Sequence, residues 1–183
     1  MFALLFSISF FSLAVSTAHE PIVEIGNAIA TGNTLTEFSS DVLVAHDEGE
    51  SIDLCRTLIL RHHVIIRVTL ADAALQEELS GESDSVLSNF DRKLEQAQRA
   101  IERLLSCSPT NGLAWLRFGL SEGYAFGYGK RAVNAALLSQ TYAPHEKRVV
   151  EARLENLPDF DLSTEPFEIL RNIRRLDEVA ASQ

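Results

Sequence analysis

Apolar residues recur at three- and four-residue intervals along most of this chain, the period at which side chains line one face of an α-helix. Ile22, Ile25 and Ile29 open the series, with Pro21 suited to a first helical turn and Gly32 placed to end it. Thr34-Leu35-Thr36-Glu37 has the form of a capping box, and Phe38, Val42 and Leu43 behind it predict a second short helix to about residue 45. Residues 46–50, His-Asp-Glu-Gly-Glu, read as a solvated loop. Ser51 is placed to cap a long third helix that ends at Ser80-Gly81. Its residues 62–70 are rich in β-branched side chains and would suit a strand. Leu54, Leu58, Ile65, Thr69 and Ala73 nevertheless keep a helical spacing and no turn signal interrupts them, so helix is the expectation.

The pattern is cleanest over residues 85–107. Val86, Phe90, Leu94, Ala97, Ile101, Leu104 and Leu105 form one stripe there, with charged residues opposite. A further helix is expected from about Thr110. Gly119, Gly123 and Gly127 are four apart in it, a spacing that would let a neighbouring backbone approach one face. The Gly-Tyr-Gly at 127–129 breaks the chain before a helix over 130–142, and another follows over 145–157. Residues 163–166 start the last, with Ile169, Ile173, Leu176 and Ala180 as its apolar stripe.

With 183 residues and 46% apolar content, the chain has material for one domain with a real core. Net charge is −10, so the surface repels phosphate backbones and nucleic acid is not an expected partner. The first residues stand apart. Residues 2–15 carry no charge and lead to the small residues Ser16-Thr17-Ala18, which fits a secretory signal peptide cleaved after Ala18. No Lys or Arg precedes the apolar run, and an uncleaved membrane anchor is the alternative. The organisation expected is a leader over 1–18, two short helices and an acidic loop over 19–50, and a helical domain over 51–183.

Pro109 and Pro144 are 35 residues apart, and the segments before them align without gaps. Ala97 matches Ala132, Ala100 matches Ala135, and Ile101 matches Ala136; between the two segments, Trp115 and Gly119 are four apart. This pattern resembles a tetratricopeptide repeat, whose usual period is 34 and whose helix pairs stack. The resemblance covers about residues 94–157. It implies an all-α fold of antiparallel helical hairpins in a short tetratricopeptide-like solenoid. Cys107-Ser108-Pro109, Trp115-Leu116 and Pro144-His145-Glu146 also resemble elements of small uncharacterised exported bacterial proteins, a likeness that implies fold and compartment without an activity.

Two cysteines are present, Cys55 and Cys107. Residue 81, the glycine expected between the third and fourth helices, lies midway between them, so an antiparallel hairpin would bring them together. In an oxidising periplasm they are then expected to form a disulfide.

Candidate chemistry is sparse. His62 and His63 are adjacent, hence about 100° apart on a helix and poorly placed to share a metal ion. The acidic loop lacks the alternating ligands and closing Glu of a calcium site. The stretch ending at Gly129-Lys130-Arg131 lacks both the first glycine and the hydroxyl residue of a phosphate loop. No Gly-x-Ser-x-Gly occurs. Glu77 and Glu78 belong to a charged helical surface, and Arg171, Arg174 and Arg175 to a solvated face balanced by Asp177 and Glu178.

No catalytic, metal or cofactor residues are therefore expected, and the chain is expected not to be an enzyme. The expected function is a non-catalytic protein-binding or scaffold module of the bacterial cell envelope. A protein or peptide partner would meet Arg117, Tyr124, Phe126, Tyr128 and Lys130. The alternative is a membrane-anchored accessory subunit of an envelope assembly, such as one for polysaccharide export, touching the membrane only through an uncleaved N-terminal segment.

Overall fold

The structure, a computed structural model, describes residues 20–31, 55–80, 86–157 and 165–182. The leader, the capping box at 34–37 with its short helix, the acidic loop, Leu54 with the Ser51 cap, and the turn at Gly81 lie outside the described residues. Among the described residues all regular structure is helical: α1 (Glu20–Ala30), α2 (Thr57–Ser80), α3 (Val86–Cys107), α4 (Gly112–Phe126), α5 (Lys130–Tyr142), α6 (Lys147–Asn156) and α7 (Glu165–Ala181). None of these helices is long and apolar enough to cross a membrane.

The β-branched stretch of α2 is helical because its side chains are buried by neighbours, which outweighs the small propensity penalty of Val, Ile and Thr. Thr69 directs its hydroxyl to the Ile65 carbonyl at 2.9 Å. The buried face differs from the expected one. Leu58 is exposed and Ile65, Thr69 and Ala73 are only half-buried, while Ile59, Leu60, Val64, Ile66, Ala71 and Ala74 form the interior. The reason is packing on two sides: α2 lies against both α1 and α3, so no single stripe describes it. The helix also begins at Thr57, with Cys55 and Arg56 outside it.

Helix α3 buries Leu94, Ala97, Ile101, Leu104 and Leu105 of its expected stripe, with Ala100 beside them, while Phe90 is half-buried. Cys55 and Cys107 are joined by a disulfide with Cα atoms 5.4 Å apart, tying the entry of α2 to the end of α3. Ala100, Ile101, Leu104 and Leu105 join Ile59, Leu60, Val64 and Ile66 of α2, Ile22 and Ile25 of α1, and Ala114 and Phe118 of α4 in one core. Trp115 flanks this core, and its indole N–H donates to the Pro109 carbonyl at 2.7 Å.

Helix α4 starts at Gly112, capped by Asn111, whose side-chain oxygen accepts from the Ala114 N–H at 3.1 Å. It runs antiparallel to α5. Glycine explains how close the two come, though not through the expected four-residue row. A Cβ at Gly119 would lie 2.9 Å from the Ala132 carbonyl oxygen, and one at Gly112 3.1 Å from that of Ser139. The two positions are seven apart, two turns along one face, and both meet the small residues of α5. Gly123 instead lies beneath the Tyr128 ring, and Gly127 (φ +79°) ends the helix in a conformation that L side chains rarely adopt.

Helices α6 and α7 pack on each other, α6 also on α4, and α7 also on α5. A second core forms there from Leu116, Val133, Ala136, Leu157, Leu170 and Ile173. The stripe of α7 is displaced from the expected one: Leu176 is exposed, and Leu170, Ile173 and Asp177 face inward. Asp177 is fully buried, not part of a solvated face, and pairs with Arg153 of α6, also fully buried, at 2.7 Å and 2.6 Å. The Arg153 guanidinium also donates to the Ser139 hydroxyl and carbonyl and to the Ala143 carbonyl, which closes the end of α5.

Candidate binding groove

A half-enclosed groove of 420 Å³ opens where four helices converge. Helix α2 contributes Asp72 and Leu75, α4 contributes Leu120, Arg117 and Tyr124, and α6 contributes Arg148, Glu151, Ala152 and Glu155; Phe90 and Leu94 of α3 complete the wall. Apolar side chains make the floor because these helices turn their core-flanking rows toward each other. Charged residues one turn away reach the rim.

Arg117 is the half-buried charge of this groove. Burial lowers its pKa from the usual arginine range to about 10; the neighbouring Arg148 pushes the same way and Asp72 opposes. Among the described residues no carboxylate oxygen lies within 4.0 Å of its guanidinium, and it makes no hydrogen bond. Asp72 keeps an exposed edge, and desolvation of its carboxyl raises its pKa against the pull of Arg117. Arg148, Glu151 and Glu155 are exposed on the rim. The Ser121 hydroxyl, on the wall, donates to the Phe118 carbonyl at 2.9 Å.

The five residues expected to meet a partner divide in three. Arg117 and Tyr124 line the groove, Tyr124 at its lip with 63% of its surface exposed. Phe126 is 76% exposed at the end of α4, and Lys130 is exposed at the start of α5. Tyr128 packs inward over Gly123 against the second core, where burial and the neighbouring Tyr124 push its phenol up to about 12. Sequence reasoning missed Asp72, Arg148, Glu151 and Glu155, because residues from different helices meet here with no shared motif.

The other candidate residues have local structural roles. His62 is buried beneath Gly26 of α1, and desolvation lowers its pKa, opposed by the Gly26 backbone. His63 accepts at Nε2 from Arg67 at 3.1 Å. Arg174 lies 3.6 Å from Glu178. On another face, Arg131 stands 5.0 Å over the Phe118 ring and within 3.1 Å of Glu102 and 3.4 Å of the buried Glu122. Among the described residues no three His, Cys, Asp or Glu side chains cluster as a metal site. Compared with protein-family models, curated proteins and solved structures, the chain has no match.

Proposed function

We propose that this chain is a binding module of the cell envelope, a short tetratricopeptide-like stack that holds a peptide segment of another protein in the groove over α4. The observation that carries this is the groove itself: its size lies within the range of about 300–1,000 Å³ typical of ligand sites, and an apolar floor with a charged rim is the composition such sites use. Further support comes from the helices that line it. The first helices of successive hairpins, α2, α4 and α6, contribute side chains, joined by Phe90, Leu94 and Ala97 of α3. The aligned positions Ala97 with Ala132 and Ala100 with Ala135 are buried in both units. Placement in the envelope is supported by the uncharged run at the N-terminus and by the disulfide, a bond that persists in oxidising compartments.

Ala152 provides the test. It is half-buried on the α6 side of the groove, so Ala152→Trp fills the space from its edge. Peptides selected from a random pool on the purified protein are expected to bind Ala152→Trp at least tenfold more weakly, at an unchanged melting temperature. Unchanged affinity would place the peptide elsewhere and remove the groove from the function. N-terminal sequencing of the protein from envelope fractions is expected to begin at His19; a chain retained from Met1 would favour the anchored accessory subunit.

A further inference from the structure

The charges of the groove are arranged unequally with depth. Glu151 and Glu155 keep solvent access at the rim, where water screens them, while Asp72 is exposed at one edge and partly desolvated at the other. Arg117 lies deeper, half-buried, with no ion-pair partner within 4.0 Å among the described residues, and the nearby Arg148 adds a second positive charge. Asp72 attracts Arg117 only across more than 4.0 Å, so the half-buried cation is incompletely compensated, and an anion delivered to it gains a charge-assisted, bidentate hydrogen bond. The same rim carboxylates repel an extended polyanion such as nucleic acid or a run of acidic residues. What fits is one negative charge, joined directly to an apolar body and followed outward by neutral or basic groups.

A peptide end has this form. Its last residue carries an ionised carboxylate and its own side chain on one Cα, so both enter together. A half-enclosed pocket of 420 Å³ accepts such an end more readily than the middle of a chain, which needs two ways out. We propose that the groove captures the free C-terminal carboxylate of a partner whose last residue is apolar, with Arg117 and Arg148 holding the carboxylate and Leu94, Leu116 and Leu120 receiving the side chain. This rests on the peptide-binding function proposed above and specifies which part of the peptide is recognised.

The experiment uses two pools of random octapeptides that differ only in their ends, one with free carboxylates and one amidated, selected on the full-length mature protein and read by mass spectrometry. Peptides ending in Leu, Ile, Val or Phe, with Lys or Arg upstream, are expected to be enriched from the free-acid pool. Amidation of a selected peptide is expected to weaken binding at least tenfold. Arg117→Gln should abolish the preference for acid over amide, whereas Arg117→Lys, which keeps the charge, should retain part of it; a merely structural arginine would weaken acid and amide alike. Arg148→Gln, on an exposed position that leaves folding intact, should reduce the preference at least threefold. Equal enrichment from both pools would overturn carboxylate capture while leaving peptide binding in place. An acid preference that survives both glutamine substitutions would overturn the assignment of the two arginines. Enrichment from neither pool would end both proposals, as would decanoate binding at Arg117 with no peptide able to displace it.

Discussion

His62 shows how one position constrains two helices at once. A Cβ at Gly26 would lie 2.5 Å from its Nδ1, so α1 crosses α2 directly over the imidazole. That Nδ1 is buried with no hydrogen-bond partner among the described residues. Burial lowers the folded-state pKa below the unfolded value near 6.5. The unfolded chain therefore binds the proton first as pH falls, so the contribution of His62 to stability is complete above about pH 6.5 and declines as pH drops through the lowered folded value. Urea titrations at pH 7.5 and 5.5 should show lower stability at acid pH, and His62→Leu should flatten that difference; an equal slope in the variant would assign it to other groups. Much at this scale was hidden in the sequence. Whether Arg117, Glu122, Arg153 or Asp177 is solvated depends on partners such as Asp72, Gln98, Asp177 and Arg153 respectively, each 24 or more positions away, which no local window contains. Asp177 did carry a signal: it falls on the Leu170–Ile173 row at helical spacing, and a carboxylate on an apolar row requires a buried partner.

At the scale of the helix, periodicity located most elements to within a residue or two, because each buries a face and leaves caps that residues such as Asn111 can fill. The break at residues 127–129 and the extent of α5 were legible for the same reason: glycine ends one helix and frees the start of the next. The expectation failed where an element has neighbours on two sides, as in α2, and where a spacing admits two explanations, as in the glycine row. Those explanations differ in energy, which makes them testable. Alanine raises helix propensity by about 1 kcal/mol over glycine. At Gly119 that gain is opposed by backbone 2.9 Å from the new Cβ, so Gly119→Ala should destabilise the protein by about 1–3 kcal/mol in chemical denaturation. Gly129, with φ −78° and open space around it, should accept alanine with a change of less than about 0.5 kcal/mol. If the two substitutions were equivalent, the close approach of α4 and α5 would not be what Gly119 provides.

Over the whole molecule, the cores divide the work unequally. The first, around α2 and α3, is mostly aliphatic with Phe118 and Trp115 at its α4 side, and the disulfide ties its two long helices together. The second is smaller, and its arrangement is fixed by the Arg153–Asp177 pair, which joins α6 to α7 and both to the end of α5. This matters for the groove, since α6 carries Arg148, Glu151 and Ala152 and is placed by what holds its inner face. A buried pair of this kind adds little net stability over a well-packed apolar replacement, while removal of one member strands the other charge. Asp177→Ala should therefore destabilise the protein by about 3–5 kcal/mol, whereas Arg153→Met combined with Asp177→Leu should lie within about 2 kcal/mol of the parent. The two variants separate stability from specificity. If the pair orients α6, the double variant will keep its stability within that range yet bind groove peptides more weakly, because Arg148 and Ala152 of α6 are no longer held in place along the groove. Unchanged peptide affinity in that stable double variant would show that apolar packing alone sets α6, and that Arg153 and Asp177 neutralise each other without positioning anything.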